Sequence, residues 1–157
     1  MSGIVADNSA RASGVVAAAG AGGKVLQVVT ASIANGNGTT TSSSFVAMGT
    51  DCTIDITPTK DDSRIMILSP ISCYAGHQTC IVTVYRDSTN VAGGTAGVFQ
   101  QTSPMLGVGI AFVDSPATTS ATTYNLRLRA SPGGTGATVY AQQNYTTTMT
   151  LVELAPN

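Results

Sequence analysis

Apolar and polar residues alternate along many short stretches of this chain, and the alternation predicts β-strands. The clearest case is the stretch 122–130, where Tyr124 and Leu126 alternate with polar or charged neighbours. Successive side chains of a strand point to opposite faces of a sheet, so a period of two marks a strand with one buried face. The same alternation recurs at 52–56 and 80–84.

The alternating stretches are short and follow one another at close spacing, separated by turns rich in Gly, Pro, Asn, Asp and Ser. The predicted strands are 24–31, 44–48, 52–57, 64–74, 79–86, 96–99, 108–114, 122–130, 137–141 and 148–154. Many short strands with turn signals between them predict an all-β sandwich or barrel. We favour an antiparallel β-sandwich, because two packed sheets with one wet face each explain the alternation.

The first part of the chain, residues 1–23, has a different texture, with many glycines and alanines and no alternation. It predicts an extended N-terminal arm in front of a β-sandwich domain at 24–157. A helix over 12–19 is the competing interpretation, since Ala favours helix, but large side chains to anchor it are few. Small residues let backbones approach closely, so we expect the arm to attach to a partner, and a passive disordered tail is the alternative. The candidate contacts are Arg11, Ser13 and Val15.

One predicted strand is apolar at consecutive positions rather than at alternate ones. This run predicts a strand covered on both faces, and in a sandwich of this size the second cover is expected to be another subunit. We therefore predict a homotrimer, a closed ring in which copies of the same surface meet. The candidate interface residues are Ile65, Met66, Ile67 and Leu68.

Composition narrows the class of partner. Charged residues make up 10% of the 157 residues and the formal net charge is -1, whereas about 25% charged residues is typical of soluble proteins. Binding to nucleic acid or to an anionic membrane requires clustered Lys and Arg, so neither is expected. No apolar stretch approaches the ~20 residues that cross a bilayer. Three cysteines without framework spacing indicate a reducing assembly compartment.

The single histidine lies between two of the predicted strands. Gly76 and His77 suit a two-residue hairpin turn, which predicts an exposed loop histidine, with receptor contact as the alternative. A hairpin tip is unsuited to a buried catalytic base. The same turn would pair Cys73 with Cys80, and we favour two buried thiols over a disulfide, because side chains diverge in a hydrogen-bonded pair. Cys52 is predicted to be a core residue.

No grouping of residues predicts an enzyme. Glu153 is the single glutamate, which excludes a glycosidase that uses paired glutamates. The aspartates considered as metal ligands have neither calcium-loop spacing nor a histidine partner. They are Asp51, Asp55, Asp61 and Asp62. Glycine-rich segments precede no predicted helix, so a phosphate-binding loop is not expected. The prediction is therefore no catalytic residue, no cofactor and no metal.

Several segments, taken in order, resemble the β-rich module of tailed-bacteriophage virion proteins, especially those of phages of cyanobacteria. The segments are GKVLQVV at 23–29, ITP at 56–58, SRIMI at 63–67, YRDST at 85–89 and DSPATTSATTY at 114–124. A lead, NSARASG at 8–14, resembles the connector that precedes such modules. The resemblance spans nearly the whole chain, and it lies in the order of the segments rather than in any one of them.

In that family the module is a jelly-roll-like sandwich that trimerises, occurs in tail fibres and capsid-decorating proteins, and carries no catalytic residues. Here the module follows a short arm without a fibre shaft. The resemblance therefore implies a capsid decoration or cement protein that binds the phage major capsid protein on the surface of the virion and stabilises the shell. It also implies assembly in the cytoplasm of the bacterial host. A head or tail fibre, or attachment to another virion protein, is the alternative.

The rival from another class is a receptor-binding or glycan-binding tip. Such a tip uses exposed aromatic side chains in loops, and Tyr140 and Tyr145 are the candidate platform, with His77 as a further receptor contact. Aromatic residues make up only 5% of the chain, which favours the decoration protein over the tip.

Overall fold

The chain folds into β-strands connected by turns and loops. A computed structural model describes residues 24–33, 38–49, 52–75, 79–92, 94, 97–101, 105–131, 139–141 and 147–156. The strands are β1 (Val25–Ile33), β2 (Gly38–Thr40), β3 (Val46–Ala47), β4 (Thr53–Ile56), β5 (Arg64–Ala75), β6 (Cys80–Arg86), β7 (Thr89–Asn90), β8 (Phe99–Gln101), β9 (Met105–Asp114), β10 (Thr122–Ala130), β11 (Val139–Ala141) and β12 (Thr147–Leu154). The described ranges contain no helix. The all-β prediction is confirmed.

The strands form two antiparallel sheets. In the first sheet the order is β1-β12-β5-β11-β2, and β9 pairs with the other side of β5. In the second sheet the order is β3-β10-β6-β7, with β4 also on β10 and β8 on β6. Each sheet therefore has one long central strand, β5 in the first and β10 in the second, as in a β-sandwich.

The hydrophobic core lies between the two sheets. Ile65 and Ile67 on β5 and Leu126 and Leu128 on β10 are fully buried and belong to one contiguous cluster. These residues occupy every second position of their strands, as the alternation predicts. Core-facing positions of both sheets are thus set by the sequence pattern.

The run 65–68 of β5 is apolar at every position, and its side chains point alternately to the two faces of the sheet. Ile65 and Ile67 point into the core and are fully buried, whereas Met66 and Leu68 lie half-buried on the outward side of the sheet. Among the described residues, the second sheet therefore covers this strand on its inward face only. Cover of the outward face by another subunit stays a prediction.

The predicted hairpin between the fifth and sixth strands is wrong. β5 lies in the first sheet and β6 in the second, so Cys73 and Cys80 are not cross-strand neighbours, and His77 lies outside the described residues. The two thiols still meet, because the connection carries the chain from one sheet to the other. The hydrogen bond with Cys80, together with burial, raises the pKa of Cys73. Cys52, Cys73 and Cys80 are buried and stand in the thiol form rather than in a disulfide, as predicted.

The hairpin joining β6 to β7 has a two-residue turn, in which Arg86 pairs with Thr89. Asp87 adopts a left-handed backbone conformation, with φ of 51°, which Asp tolerates better than most residues. Its N–H donates to the carbonyl of Thr123 at 2.7 Å, and its Oδ1 accepts from the N–H of Thr123 at 3.1 Å. The turn is thereby tied to the start of β10.

Gly97 is required where the chain returns to the second sheet before β8. Its φ is +63°, and a side chain there would collide with the backbone of Val82 and the side chain of Ile81. The next residue, Val98, donates its N–H to the Val82 carbonyl at 2.9 Å. Only glycine lets the backbone approach this closely.

A partly buried polar cluster joins the two sheets at one end of the sandwich. Asp114, at the end of β9, accepts hydrogen bonds at 2.7 Å from Arg86 of β6 and from the hydroxyl of Tyr124 of β10. Arg86 and Asp114 also form an ion pair. Burial and the neighbouring Asp114 raise the pKa of Tyr124, so the phenol stays protonated and donates.

A second carboxylate, Glu153 on β12, ties the first sheet to the turn that follows β4. It is fully buried and accepts hydrogen bonds from Gln27 Nε2 at 2.7 Å and from the N–H and Oγ1 of Thr59 at 2.7 and 2.8 Å. Burial acts to raise the pKa of Glu153, but hydrogen bonds from Ser63, Gln27 and Thr59 outweigh it and lower the pKa. The carboxylate is therefore held in its charged form.

Candidate interaction surfaces

An apolar row runs across the outward face of the first sheet. It consists of Val28 on β1, Val152 on β12, Met66 on β5 and Val113 on β9. Val28 pairs with Val152, Val152 with Met66, and Met66 with Val113, so the four side chains lie side by side over about 14 Å, given strand spacings of about 4.8 Å. We call these four residues the apolar row.

The apolar row is exposed at both of its ends. Val28 is 55% exposed and Val113 is 47% exposed, whereas Val152 between them is 8% exposed. The large exposed hydrophobic residues among those described are these two valines and Val25, which is 50% exposed and lies on β1. Contiguous exposed apolar surface in a soluble protein marks an interaction site more often than scattered apolar residues do.

The positions next to the apolar row are almost free of charge. The next row along the strands holds Thr30, Thr150, Leu68 and Ala111. Arg64, which pairs with Leu154 on the other side of the apolar row, is the one charged residue in these rows of described residues. A surface that carries so little charge loses little solvation free energy when a partner covers it.

The outward face of the second sheet has the opposite chemistry. The guanidinium carbon of Arg127 on β10 lies 4.0 Å from the ring centroid of Tyr85 on β6. Tyr85 meets Phe45 edge to face, with ring centroids 6.2 Å apart, and Arg129 lies over Phe45 at 5.2 Å. We call Arg127, Tyr85, Phe45 and Arg129 the Arg–aromatic ladder.

The residues predicted from sequence to carry contacts are distributed unevenly over the structure. Met66 and Leu68 lie on the outward face of the first sheet, and Ile65 and Ile67 lie in the core. Tyr140 belongs to β11, where it pairs with Tyr74 and Thr39, but its side chain lies outside the described residues. The other candidates fall outside the described residues altogether. They are Arg11, Ser13, Val15, His77 and Tyr145.

The sequence pattern alone does not reveal most of either surface. Val28, Val152 and Val113 were visible only as the alternate members of three predicted strands, and strand order was needed to bring them together. Arg127 was placed on an outward face, but its aromatic neighbours come from other strands and loops. The signal in the sequence is that outward positions of several strands carry the same type of residue, valine for one surface and arginine or aromatic residues for the other.

Metal-ligand clusters and membrane-spanning helices were the two remaining features to locate in the described part of the chain. In those residues, no group of three or more His, Cys, Asp and Glu side chains is placed to hold a metal ion. Nor do those residues include a helix long and apolar enough to cross a membrane.

No family model matches the sequence, and no curated protein matches it.

Proposed function

We propose that this protein is a structural component of a phage virion, a decoration protein that forms a trimer, binds the outer surface of the capsid shell and stabilises it. The apolar row is the observation that carries the proposal, because it is a binding surface for protein rather than a site for chemistry. The virion context comes from the resemblance of the sequence segments. The proposed role is not catalytic.

We propose further that the sandwich is a jelly roll. Strand order supports this, since the four strands β1-β12-β5-β9 face the four strands β4-β10-β6-β8, and the chain passes repeatedly from one sheet to the other. A jelly roll has eight strands in two facing sheets with this kind of crossing connection, and it is common in viral capsid proteins.

The proposed trimer interface uses the outward face of the first sheet. Met66 and Leu68 remain interface residues, joined by Val28, Val152 and Val113, and the buried isoleucines of β5 belong to the core of their own chain. Closed symmetric rings are the usual way for a soluble chain to cover such a face, because open association would continue without limit. The arm at 1–23, with Arg11 as its main anchor, is proposed to hold the ring on the shell.

Light scattering of the purified protein at micromolar concentration tests the trimer. We expect a mass three times the 15.8 kDa of the chain. A single-chain mass at that concentration would overturn the trimer, since the outward face would then stay uncovered.

Cosedimentation with undecorated particles of the phage tests the role. We expect binding at hundreds of copies per particle, as a shell with many equivalent sites requires, whereas a few dozen copies or fewer would point to a head or tail fibre. Deletion of residues 2–20 is expected to weaken binding by about tenfold or more, which corresponds to ~1.4 kcal/mol, while the sandwich remains trimeric. Equal binding by the truncated chain would move the attachment surface to the strands and loops.

A further inference from the structure

The Arg–aromatic ladder is a prearranged group of side chains on the outward face of the second sheet. Arg127 Nε donates to Asn125 Oδ1 at 2.9 Å, which fixes the plane of the guanidinium against the Tyr85 ring. Arg129 is 7% exposed and donates to the carbonyls of Ser43 and Ala130 at 3.5 and 3.3 Å. The ladder is therefore held in place by its own neighbours before any ligand arrives.

The accessible cation of the ladder has hydrogen-bonding capacity to spare. Arginine has five N–H donors. Within the described residues Arg127 donates hydrogen bonds to Asn125 and, at 3.5 Å, to the carbonyl of Asp87. No described carboxylate forms an ion pair with Arg127. The ion pair found in the described ranges joins Arg86 to Asp114. The Nη1 edge is left for an external acceptor.

Charge and aromatic surface indicate what that acceptor is. Arg127 and Arg129 lie two positions apart on one side of β10, so their charges reinforce each other at the ladder. A guanidinium matches a carboxylate in a bidentate geometry, and the half-buried rings of Tyr85 and Phe45 offer apolar surface beside it. Asn125 on β10 and Asn90 on β7 are the cross-strand neighbours of Tyr85, one on either side.

We propose that the Arg–aromatic ladder binds the carboxylate of an acidic sugar, with the sugar ring lying against Tyr85 or Phe45. An acidic peptide is the weaker fit, because a glutamate or aspartate side chain has no ring to lie against Tyr85 or Phe45. Here Arg127 is half-buried and Arg129 is nearly covered by its own chain. One accessible cation beside aromatic rings therefore matches a carboxylate that is carried on a sugar ring. This site is independent of the trimer and of attachment to the shell.

Isothermal titration calorimetry of the full chain with trigalacturonic acid tests the proposal. We expect saturable binding that weakens as salt is raised, because the contact is partly ionic, and no binding of the neutral trisaccharide maltotriose. Equal binding of maltotriose would overturn the role of the carboxylate. Binding of triglutamate in preference to trigalacturonic acid would overturn the sugar and assign the ladder to an acidic peptide. No heat with any of the three probes would overturn the site.

Three substitutions locate the binding. Arg127→Gln is expected to weaken trigalacturonate binding by about tenfold or more, the scale of a lost hydrogen bond to a charged group. Arg127→Lys keeps the charge but not the planar fork, so a loss of several-fold is expected. Tyr85→Leu removes the ring and keeps both cations, and it is also expected to weaken binding several-fold.

Lys60→Gln is the matched control, because it removes one positive charge from an exposed turn away from the ladder. Its affinity for trigalacturonate is expected to equal that of the wild type. Circular dichroism shows which variants remain folded, and if Arg127→Gln does not fold, Arg127→Lys and Tyr85→Leu decide. Wild-type affinity in every folded ladder variant would overturn the site, as would a loss in Lys60→Gln equal to theirs.

Discussion

The two outward faces of this sandwich arise from the same alternation but carry opposite chemistry. On the first sheet the outward positions of four adjacent strands are filled by valine and methionine, which form the apolar row. On the second sheet the outward positions of β10 and β6 bring Arg127 against Tyr85. Alternation therefore identifies the inside of a sandwich, while the residue types at the outward positions separate an apolar face, proposed to bind protein, from a face of arginine and aromatic side chains, proposed to bind an acidic sugar.

The contrast is sharpest between the two central strands. In the run 65–68 of β5 both inward and outward residues are apolar, and Ile67 lies in the core while Leu68 is half-buried on the outward side. On β10 the inward residues are apolar and the outward ones are polar, as in Leu126 and Arg127. A central strand that stays apolar on its outward side calls for a further apolar cover, which the described part of one chain does not provide.

The largest effect is expected inside the first sheet. Ile67→Ala leaves a cavity in the core and is expected to lower the free energy of unfolding by about 2–5 kcal/mol, whereas Leu68→Ala, on the outward side, is expected to cost about 1 kcal/mol or less in the monomer. Urea unfolding at dilute concentration measures both. If the two losses are equal under conditions where the chain is monomeric, the outward face is covered within one chain and the contrast fails.

A smaller effect is expected from charge placed on the apolar row. Val28→Lys with Val113→Lys puts two ammonium groups where a neighbouring copy is proposed to lie, and burying each without a partner is costly. We expect the concentration at which the trimer dissociates to rise about a hundredfold, which is ~2.7 kcal/mol for each of the two subunits that leave the third, as followed by light scattering.

The control for that experiment places the same two charges on the other sheet. Thr53 and Thr89 are exposed residues of β4 and β7, and Thr53→Lys with Thr89→Lys is expected to leave the trimer unchanged. Dissociation in the control and in the apolar-row variant alike would show that net charge, not the row, governs assembly.

A third test concerns the contact through which Glu153 holds the first sheet to the turn that follows β4. The lowered pKa of Glu153 means that its contribution to stability is present above the unfolded-state pKa near 4.5 and is lost as pH falls through the lower folded-state pKa. Glu153→Gln is expected to cost about 1–3 kcal/mol at pH 7, through weaker hydrogen bonds to Thr59 and Gln27, and less at pH 3. Thermal unfolding over this pH range measures the difference. A difference that stays constant with pH would contradict the charged anchor.

The smallest effect is expected at the ladder itself. Phe45→Leu keeps apolar bulk but removes the ring under Arg129 and beside Tyr85, so it is expected to cost about 0.5–1 kcal/mol of folding free energy. Urea unfolding against Val46→Ala, a neighbouring β3 residue that packs on the core, separates loss of the ring from loss of core packing. A cost below detection for Phe45→Leu would show that the cation–π contacts serve binding rather than stability.

Much of the fold could be predicted from local pattern. The predicted strand at 122–130 coincides with β10, and those at 52–57, 64–74 and 148–154 fall within one or two residues of β4, β5 and β12. These strands have strict alternation or long apolar runs, so their own side chains decide their conformation. The short strands β2 and β7 were not predicted, because three or two residues carry too little pattern and pair only through their partners.

The pairing of strands could not be predicted in the same way. A tight turn at Gly76 and His77 predicts a hairpin, yet β5 and β6 lie in different sheets. The partners of β5 are strands distant in sequence, and burial of its apolar inward face against the second sheet outweighs the local preference for a hairpin. Cys73 and Cys80 come together across the core for that reason, and not because their strands are hydrogen-bonded to each other.

By itself, the sequence determined the all-β class, the position of most strands and which side of each strand is buried, because period-two hydrophobicity and turn residues act over a few positions. Only the tertiary structure decided which strands are neighbours, and both surfaces depend on that choice. Val28 and Val113 stand 85 positions apart in the chain. They lie at the two ends of one apolar row only because β12 and β5 lie between their strands. Contacts of that kind are set by global burial, which no short stretch of sequence encodes.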